Sequence, residues 1–213
     1  MMRSSYVICA ALAAAALPAA AQNWEVGAGG GFGFYSNKTV TAGSLSGQTG
    51  FERGFAAGGW LGNDISEHFG GEFRYTYRKN DLKLSSGSTK VTFSGDSHII
   101  HYDFLLYATR RGSKVRPFAA VGGGIKVFRG TGATQAVQPL SNLALLSPVT
   151  ETKGLGSVGG GVKFQIAPGV VLRVEVRDFI TPFPKQVIAP SIGARISGVI
   201  HDIVPMVGIS AVF

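Results

Sequence analysis

A chain of 213 residues is long enough for one domain with a sizeable interior. Its single cysteine, Cys9, excludes a disulfide framework and a cysteine-built metal site. Lys and Arg outnumber Asp and Glu by 20 to 12, a formal net charge of +8, and the 31 glycines follow no collagen-like period.

The first segment, residues 1–21, has a basic start at Arg3, the apolar run "YVICAALAAAAL" and a small-residue site ending "AAA". That pattern predicts a secretory signal peptide cut between Ala21 and Gln22, leaving residues 22–213 as one mature domain. The apolar run is too short to cross a bilayer as a helix. Cys9 lies inside the run rather than at the cleavage point, which argues against a lipoprotein.

From Trp24 onward the sequence alternates between apolar and polar residues and shows no helical period. Eight segments read as strands: 24–35, 51–61, 68–78, 97–108, 116–127, 156–166, 170–180 and 202–213. Each has about the ten residues that a tilted strand needs to span a bilayer. The connections 62–67, 109–115 and 167–169 are short, whereas 36–50, 79–96, 128–155 and 181–201 are long and rich in Gly, Ser, Thr, Pro and Lys. Short turns on one rim and long loops on the other predict an all-β fold. The expected architecture is an eight-stranded antiparallel up-and-down transmembrane β-barrel, with periplasmic turns, extracellular loops and both termini on the turn side.

Alternation divides each strand into two faces. The apolar face carries Trp24, Val26, Phe32 and Phe34 in the first strand, and Ile203, Pro205, Val207, Ile209, Ala211 and Phe213 in the last. The other face carries Glu25, Glu52, Glu72, Arg74, Arg78, His101, Asp103, Lys126, Lys163, Arg173, Glu175 and Arg177, with Gly27, Gly29, Gly31 and Gly33 among them. A soluble lipocalin-like carrier would turn the apolar face inward around a small ligand. Three features turn it toward lipid instead. Rows of glycine suit a crowded interior, the inward charges nearly cancel, and aromatic residues recur near the ends of the apolar face as an interfacial girdle requires. Arg53, His98 and Asp178 break the apolar parity, and all three fall near the extracellular strand ends, where a polar tip reaches headgroups or water. Trp60 lies on the wrong parity for the girdle, so either its strand is shifted or it faces the lumen.

Charges confined to a narrow lumen need partners. "EFR" (Glu72, Arg74) and "RVEVR" (Arg173, Glu175, Arg177) place opposite charges two apart on one face. An eight-stranded barrel is just wide enough for its own side chains, so a salt-bridge plug is expected, with a narrow conduit for small solutes as the alternative. For a membrane-embedded lipid hydrolase, "GDSHIIHYD" offers Ser97, His98, His101 and Asp103. Ser97 and His98 are neighbours on opposite faces, and no serine is expected on the lumen face near His101 and Asp103, so the constellation is incomplete. His98 and His101 also diverge as a metal pair, and His201 with Asp202 reads as a cap at the start of the last strand. The runs "GAGGGFG" and "VGGGIK" lack the helix that a phosphate loop requires. No catalytic, cofactor-binding or metal-ligating residue is therefore expected.

Much of the positive excess falls in connections. Arg110, Arg111, Lys114 and Arg116 surround one turn, while Lys38, Lys79, Lys83, Lys90, Arg129, Lys153, Lys185 and Arg195 lie in or beside the loops. The loop bases suit lipopolysaccharide phosphates and the turn cluster suits outer-membrane lipid headgroups as partners, the alternative being charge that is simply solvated. Nucleic acid does not fit a secreted barrel. In the longest loop the apolar stretch Leu140 to Leu146 is expected to fold over the barrel mouth as a short helix or lid, the alternative being an exposed patch.

The segments "RPFAAVGGGI", "GGGVKFQIAPGVVLRVEVRDF" and "HDIVPMVGISAVF" resemble the OmpA/OmpX-like outer-membrane β-barrel family in its barrel-only form, across essentially the whole mature chain. The resemblance implies residence in the bacterial outer membrane and no peptidoglycan-binding domain. It also implies that the last strand, with Phe213, Ala211, Ile209 and Val207, is the recognition signal for the barrel assembly machinery. The expected protein is a monomeric structural or surface-interaction barrel without catalysis or cofactor. A small-solute pore is the runner-up, and the ligand of the loops is not readable.

Overall fold

The computed structural model describes residues 24–133 and 137–213, so the expected signal peptide, residues 1–21, lies outside the described residues. The described chain forms fifteen strands and no helix. In order they are β1 (Trp24–Tyr35), β2 (Lys38–Ala42), β3 (Leu45–Phe51), β4 (Gly54–Asp64), β5 (Phe69–Lys79), β6 (Leu82–Ser86), β7 (Thr89–Phe93) and β8 (Gly95–Tyr107). Then come β9 (Val115–Gly130), β10 (Ala144–Leu146), β11 (Thr150–Ala167), β12 (Val170–Pro182), β13 (Ile188–Pro190), β14 (Ala194–Arg195) and β15 (Val199–Val212).

Eight of these close an antiparallel barrel in the order β1-β15-β12-β11-β9-β8-β5-β4. Closure leaves no unpaired edge, the condition for strands surrounded by lipid. The first expected strand coincides with β1. The second is displaced by three residues, because Phe51 ends β3 and stacks on Phe128, ring centroids 5.1 Å apart, above the barrel. The break at Glu52 and Arg53 then takes Glu52 out of the wall. Expected in the lumen, it pairs instead with Lys90 at 2.5 Å outside. On the short-turn rim, Trp24 and Phe213 close the ring with backbone hydrogen bonds of 3.0 and 2.9 Å.

The long connections are not bare loops. β14, β2, β3, β6 and β7 form a five-stranded sheet, and β10 pairs with β13. "KTVTA", "LKLSS" and "TKVTF" are alternating strands whose compositions resemble loops. One face of the sheet places Val40, Leu82, Leu84 and Phe93 in an apolar core of fourteen buried residues. Phe128, Phe183 and Ile200 join that core from the upper barrel strands and the connection beyond them. Leu143, Ala144 and Leu146 join it too, so the apolar stretch of the longest loop folds over the mouth as a turn and a strand, not as a helix. The Glu151 carboxylate accepts the backbone N–H groups of Gln186 (2.7 Å) and Val187 (3.3 Å), tying two loops together.

Within the barrel the outward face is apolar and exposed. Phe104 and Val121 retain 59% and 60% of their accessible surface, far more continuous apolar area than a protein in water presents. Inward, glycines stand directly opposite bulky residues in the pairing register. Gly27 faces Trp60, Gly124 faces His101, Gly122 faces Asp103, Gly161 faces Glu175, Gly159 faces Arg177 and Gly208 faces Arg173. A Cβ on Gly27 would lie 2.5 Å from Trp60 Cε2 and 2.7 Å from Ser210 Cβ. The glycines are therefore the space that the large inward residues occupy. Gly27→Ala is expected to lower stability by about 1–3 kcal/mol through overpacking. Gly156→Ala, on an outward strand position with nothing within 4 Å of the added carbon, is expected to change it little. Urea unfolding midpoints of the two variants in lipid vesicles check the difference.

Candidate functional site

Around a ring of eight, β5 and β12 are fourth neighbours and lie diametrically opposite. Period two points Glu72 and Arg74 inward from β5, and Arg173, Glu175 and Arg177 inward from β12. Along each strand, Arg74 Nη1 donates to Glu72 Oε1 at 2.7 Å, and the Nε atoms of Arg173 and Arg177 donate to Glu175 Oε2 at 3.0 and 3.2 Å. Across the axis, Arg74 forks onto both Glu175 oxygens at 2.5 and 3.2 Å. Arg173 forks onto Glu72, one arm at 3.1 Å and the other in close contact with Oε2. Arg177 reaches Glu72 at 3.4 Å and, from β8, Asp103 at 2.5 Å. Three guanidinium groups thus face three carboxylates, and all six residues are buried. Trp60 and Phe118 flank the cluster, with Arg173 Cζ 4.9 and 4.6 Å from their ring centroids.

Two smaller clusters sit above and below. Toward the extracellular end, Asp202 accepts Lys126 Nζ at 2.6 Å and Arg78 at 2.8 and 3.2 Å, while Lys126 also donates to Tyr35 at 2.8 Å. Toward the periplasmic end, Glu25 accepts Lys163 Nζ (2.6 Å), Trp60 Nε1 (3.0 Å) and Ser210 Oγ (2.8 Å). Lys163 also donates to the Tyr107 hydroxyl at 2.8 Å. Beyond this pair a vestibule of about 440 Å³ reaches the short-turn rim, lined by Asp64, Tyr107, Arg116 and Gln165 among others. Arg116 pairs with Asp64 at 2.5 Å and stacks over Tyr107 at 3.6 Å.

Of the expected inward set, the structure places Glu25, Glu72, Arg74, Arg78, His101, Asp103, Lys126, Lys163, Arg173, Glu175 and Arg177 in the lumen, distributed over these clusters, and leaves Glu52 out. His101 Nε2 is 3.2 Å from Asp103 Oδ2 but misaligned for a hydrogen bond, and its ring meets Phe179 edge-on at 5.1 Å. Contrary to expectation, a serine does share the lumen face of that strand. Ser97 has the parity of His101, but its hydroxyl donates to Asn80 at 2.9 Å rather than to a histidine. His98 points outward and bonds the Tyr75 hydroxyl at 2.7 Å. His201 pairs with Asp178 at 2.7 Å at the outer rim. Val207, Ile209 and Ala211 are exposed on the lipid side of β15.

Sequence reasoning missed Asp202, Tyr35, Tyr107 and Ser210, and left Trp60 open between two placements. Asp202 carried a usable signal: it shares parity with Val204, Met206, Gly208 and Ser210, opposite the outward row Ile203 to Ala211. Read as a rim cap, it was separated from the bases that it neutralises.

A family model described as the outer membrane protein beta-barrel domain matches residues 7–186. Among solved structures, the chain is similar to Neisserial surface protein A, with 14% identity and a TM-score of 0.56 over 89% of this chain and 97% of that one. It is similar also to OprG from Pseudomonas aeruginosa, with 11% identity and a TM-score of 0.58 over 91% and 99%. The N-terminal β-barrel domain of Pseudomonas aeruginosa OprF matches at 11% identity and a TM-score of 0.50 over 90% and 98%. At these identities the likeness is one of fold. No curated protein matches the sequence.

Breaking a buried ion cluster by removing one member leaves uncompensated charge. Arg173→Met is expected to cost about 3–5 kcal/mol, because Glu72 and Glu175 both lose a partner. Asp178→Asn, at the partly exposed rim pair, is expected to cost no more than about 1 kcal/mol. Unfolding in lipid vesicles compares the two.

Proposed function

The chain belongs to the outer membrane protein beta-barrel domain family, and on that premise we propose that it is a closed, non-conducting barrel that acts through the surface it presents outside the cell. The observation that carries this reading is the meeting of β5 and β12 side chains across the barrel axis, their charge balanced by Asp103 of β8 and every member buried. A conduit needs hydrated, weakly held charges, whereas these are held by paired, forked hydrogen bonds. The apolar core over the extracellular mouth supports the same reading, since a dry core of fourteen side chains offers ions no path.

A small-solute pore is the second reading, and the polar vestibule at the periplasmic end is what favours it. The vestibule narrows onto Glu25, Lys163 and Tyr107, whose mutual hydrogen bonds close its floor. The reading involves no reaction and no cofactor. The folded surface outside the membrane is then the part available for contact with other molecules. In planar bilayers with concentrated potassium chloride, the purified barrel is expected to show no sustained single-channel openings. Discrete openings of reproducible size would favour the pore.

A further inference from the structure

The outward face of the five-stranded sheet has a composition that neither barrel closure nor the cap core requires. Inward residues Val40, Leu82, Leu84 and Phe93 build that core, so their alternating neighbours point away from it. In the pairing register these neighbours form rows: Arg195 beside Thr41 and Ser46; Thr39, Gln48, Ser85 and Lys90; Gly50, Lys83 and Thr92. Every position is a hydroxyl, an amide, a glycine or a base, and none is a carboxylate. Adding Arg53 and the Lys79–Asp81 and Lys90–Glu52 pairs at the base of the sheet gives five bases against two acids, a net charge of +3. Arg53, Lys83 and Arg195 make no ion pair among the described residues.

Position supplies the rest. The hairpins β2–β3 and β6–β7 prolong β1, β4, β5 and β8, so the sheet continues the barrel wall outward on one flank, by roughly 17 Å for five residues. Directly below lie the outward aromatics Phe55, Tyr75 and Tyr77 with His98. An aromatic belt marks the interface between acyl chains and headgroups. The basic, hydroxyl-rich face therefore stands beside the sugar layer of the outer leaflet and looks sideways into it. The other flank of the cap differs: Leu145, Val149 and Val199 are exposed there, and Lys153 is paired with Glu151.

We infer that this sheet face is a one-sided docking surface for the phosphorylated sugar layer of lipopolysaccharide in the same membrane, an inference that rests on the outer-membrane reading above. Lysine and arginine meet phosphate, and the threonine, serine and glutamine rows meet sugar hydroxyls. Binding of purified lipopolysaccharide to the folded full-length protein, measured by native mass spectrometry over a salt series, tests it. The variant Arg53→Gln, Lys83→Gln, Arg195→Gln removes three bases without stranding a carboxylate. It is expected to weaken binding roughly a hundredfold, at about fivefold per base. The control Arg110→Gln, Lys114→Gln, Lys185→Gln removes as much charge elsewhere and is expected to bind as the wild type does. Dephosphorylated lipopolysaccharide is expected to bind wild type and sheet variant alike. Equal binding by the sheet variant and wild type, or an equal loss in the control, overturns the docking surface. Gel mobility before and after boiling separates the two levels. A wild type that does not shift contradicts the barrel reading, whereas one that shifts but does not discriminate contradicts the sheet face alone.

Discussion

Charge placed inside a ring of eight strands must find its partners among the inward side chains of the ring itself. In this protein pairs along one strand are joined to pairs on the opposite one. Glu72 and Arg74 from β5 meet Arg173, Glu175 and Arg177 from β12, and the rest of the interior is arranged around that meeting. Guanidinium groups must reach the axis, so their register neighbours Gly159 and Gly208 give up their side chains. Trp60 fills space beside two of the arginines only because Gly27 and Gly208 leave room for it. The alternation of glycine with large charged residues, which would make little sense on a water-facing wall, follows from packing a narrow barrel with its own side chains.

The second constraint is the apolar core outside the barrel. Loops of outer-membrane barrels are free to vary because water satisfies their backbone. Here the hairpins pair with one another and bury Val40, Leu84, Leu143 and Phe183 together. A surface held by its own core presents fixed positions, so a row such as Thr39, Gln48, Ser85 and Lys90 keeps its spacing. A partner of the kind proposed would then impose less ordering on contact. The cap core and the lumen meet where Phe128 and Ile200, near the outer ends of β9 and β15, lie immediately above the cluster of Arg78, Lys126 and Asp202.

The barrel was legible in the sequence because its signal is a strict period of two, repeated eight times. Trp24 to Phe34 against Glu25 to Gly33 needs no tertiary information. The errors arose where period two is interrupted or competes with composition. Phe51 reads as the start of a lipid-facing strand, but it is the end of a cap strand whose ring turns inward. That misreading carried Glu52 into the lumen. Asp202 sits beside a loop and next to His201, and local sequence cannot show that Arg78 and Lys126, far away in the chain, converge on it. The cap strands alternate as clearly as the barrel strands do, yet their Ser, Thr, Gly and Lys content resembles loop. Only the shared burial of Val40, Leu82 and Phe93 reveals them. The sequence led only to pairs two apart on one face; that β5 and β12 pair across the axis emerges from ring closure, which sets them opposite each other.

The cross-axis pairs join two opposite walls of the barrel energetically through the lumen. A double-mutant cycle on Arg74 and Glu175, with unfolding followed in lipid vesicles, measures that junction alone, because their own strands never touch. The expected coupling between Arg74→Met and Glu175→Gln is about 1.5–3 kcal/mol, near the upper end for directly paired residues. A coupling indistinguishable from zero would contradict it: the two side chains would then be near each other without holding the barrel closed.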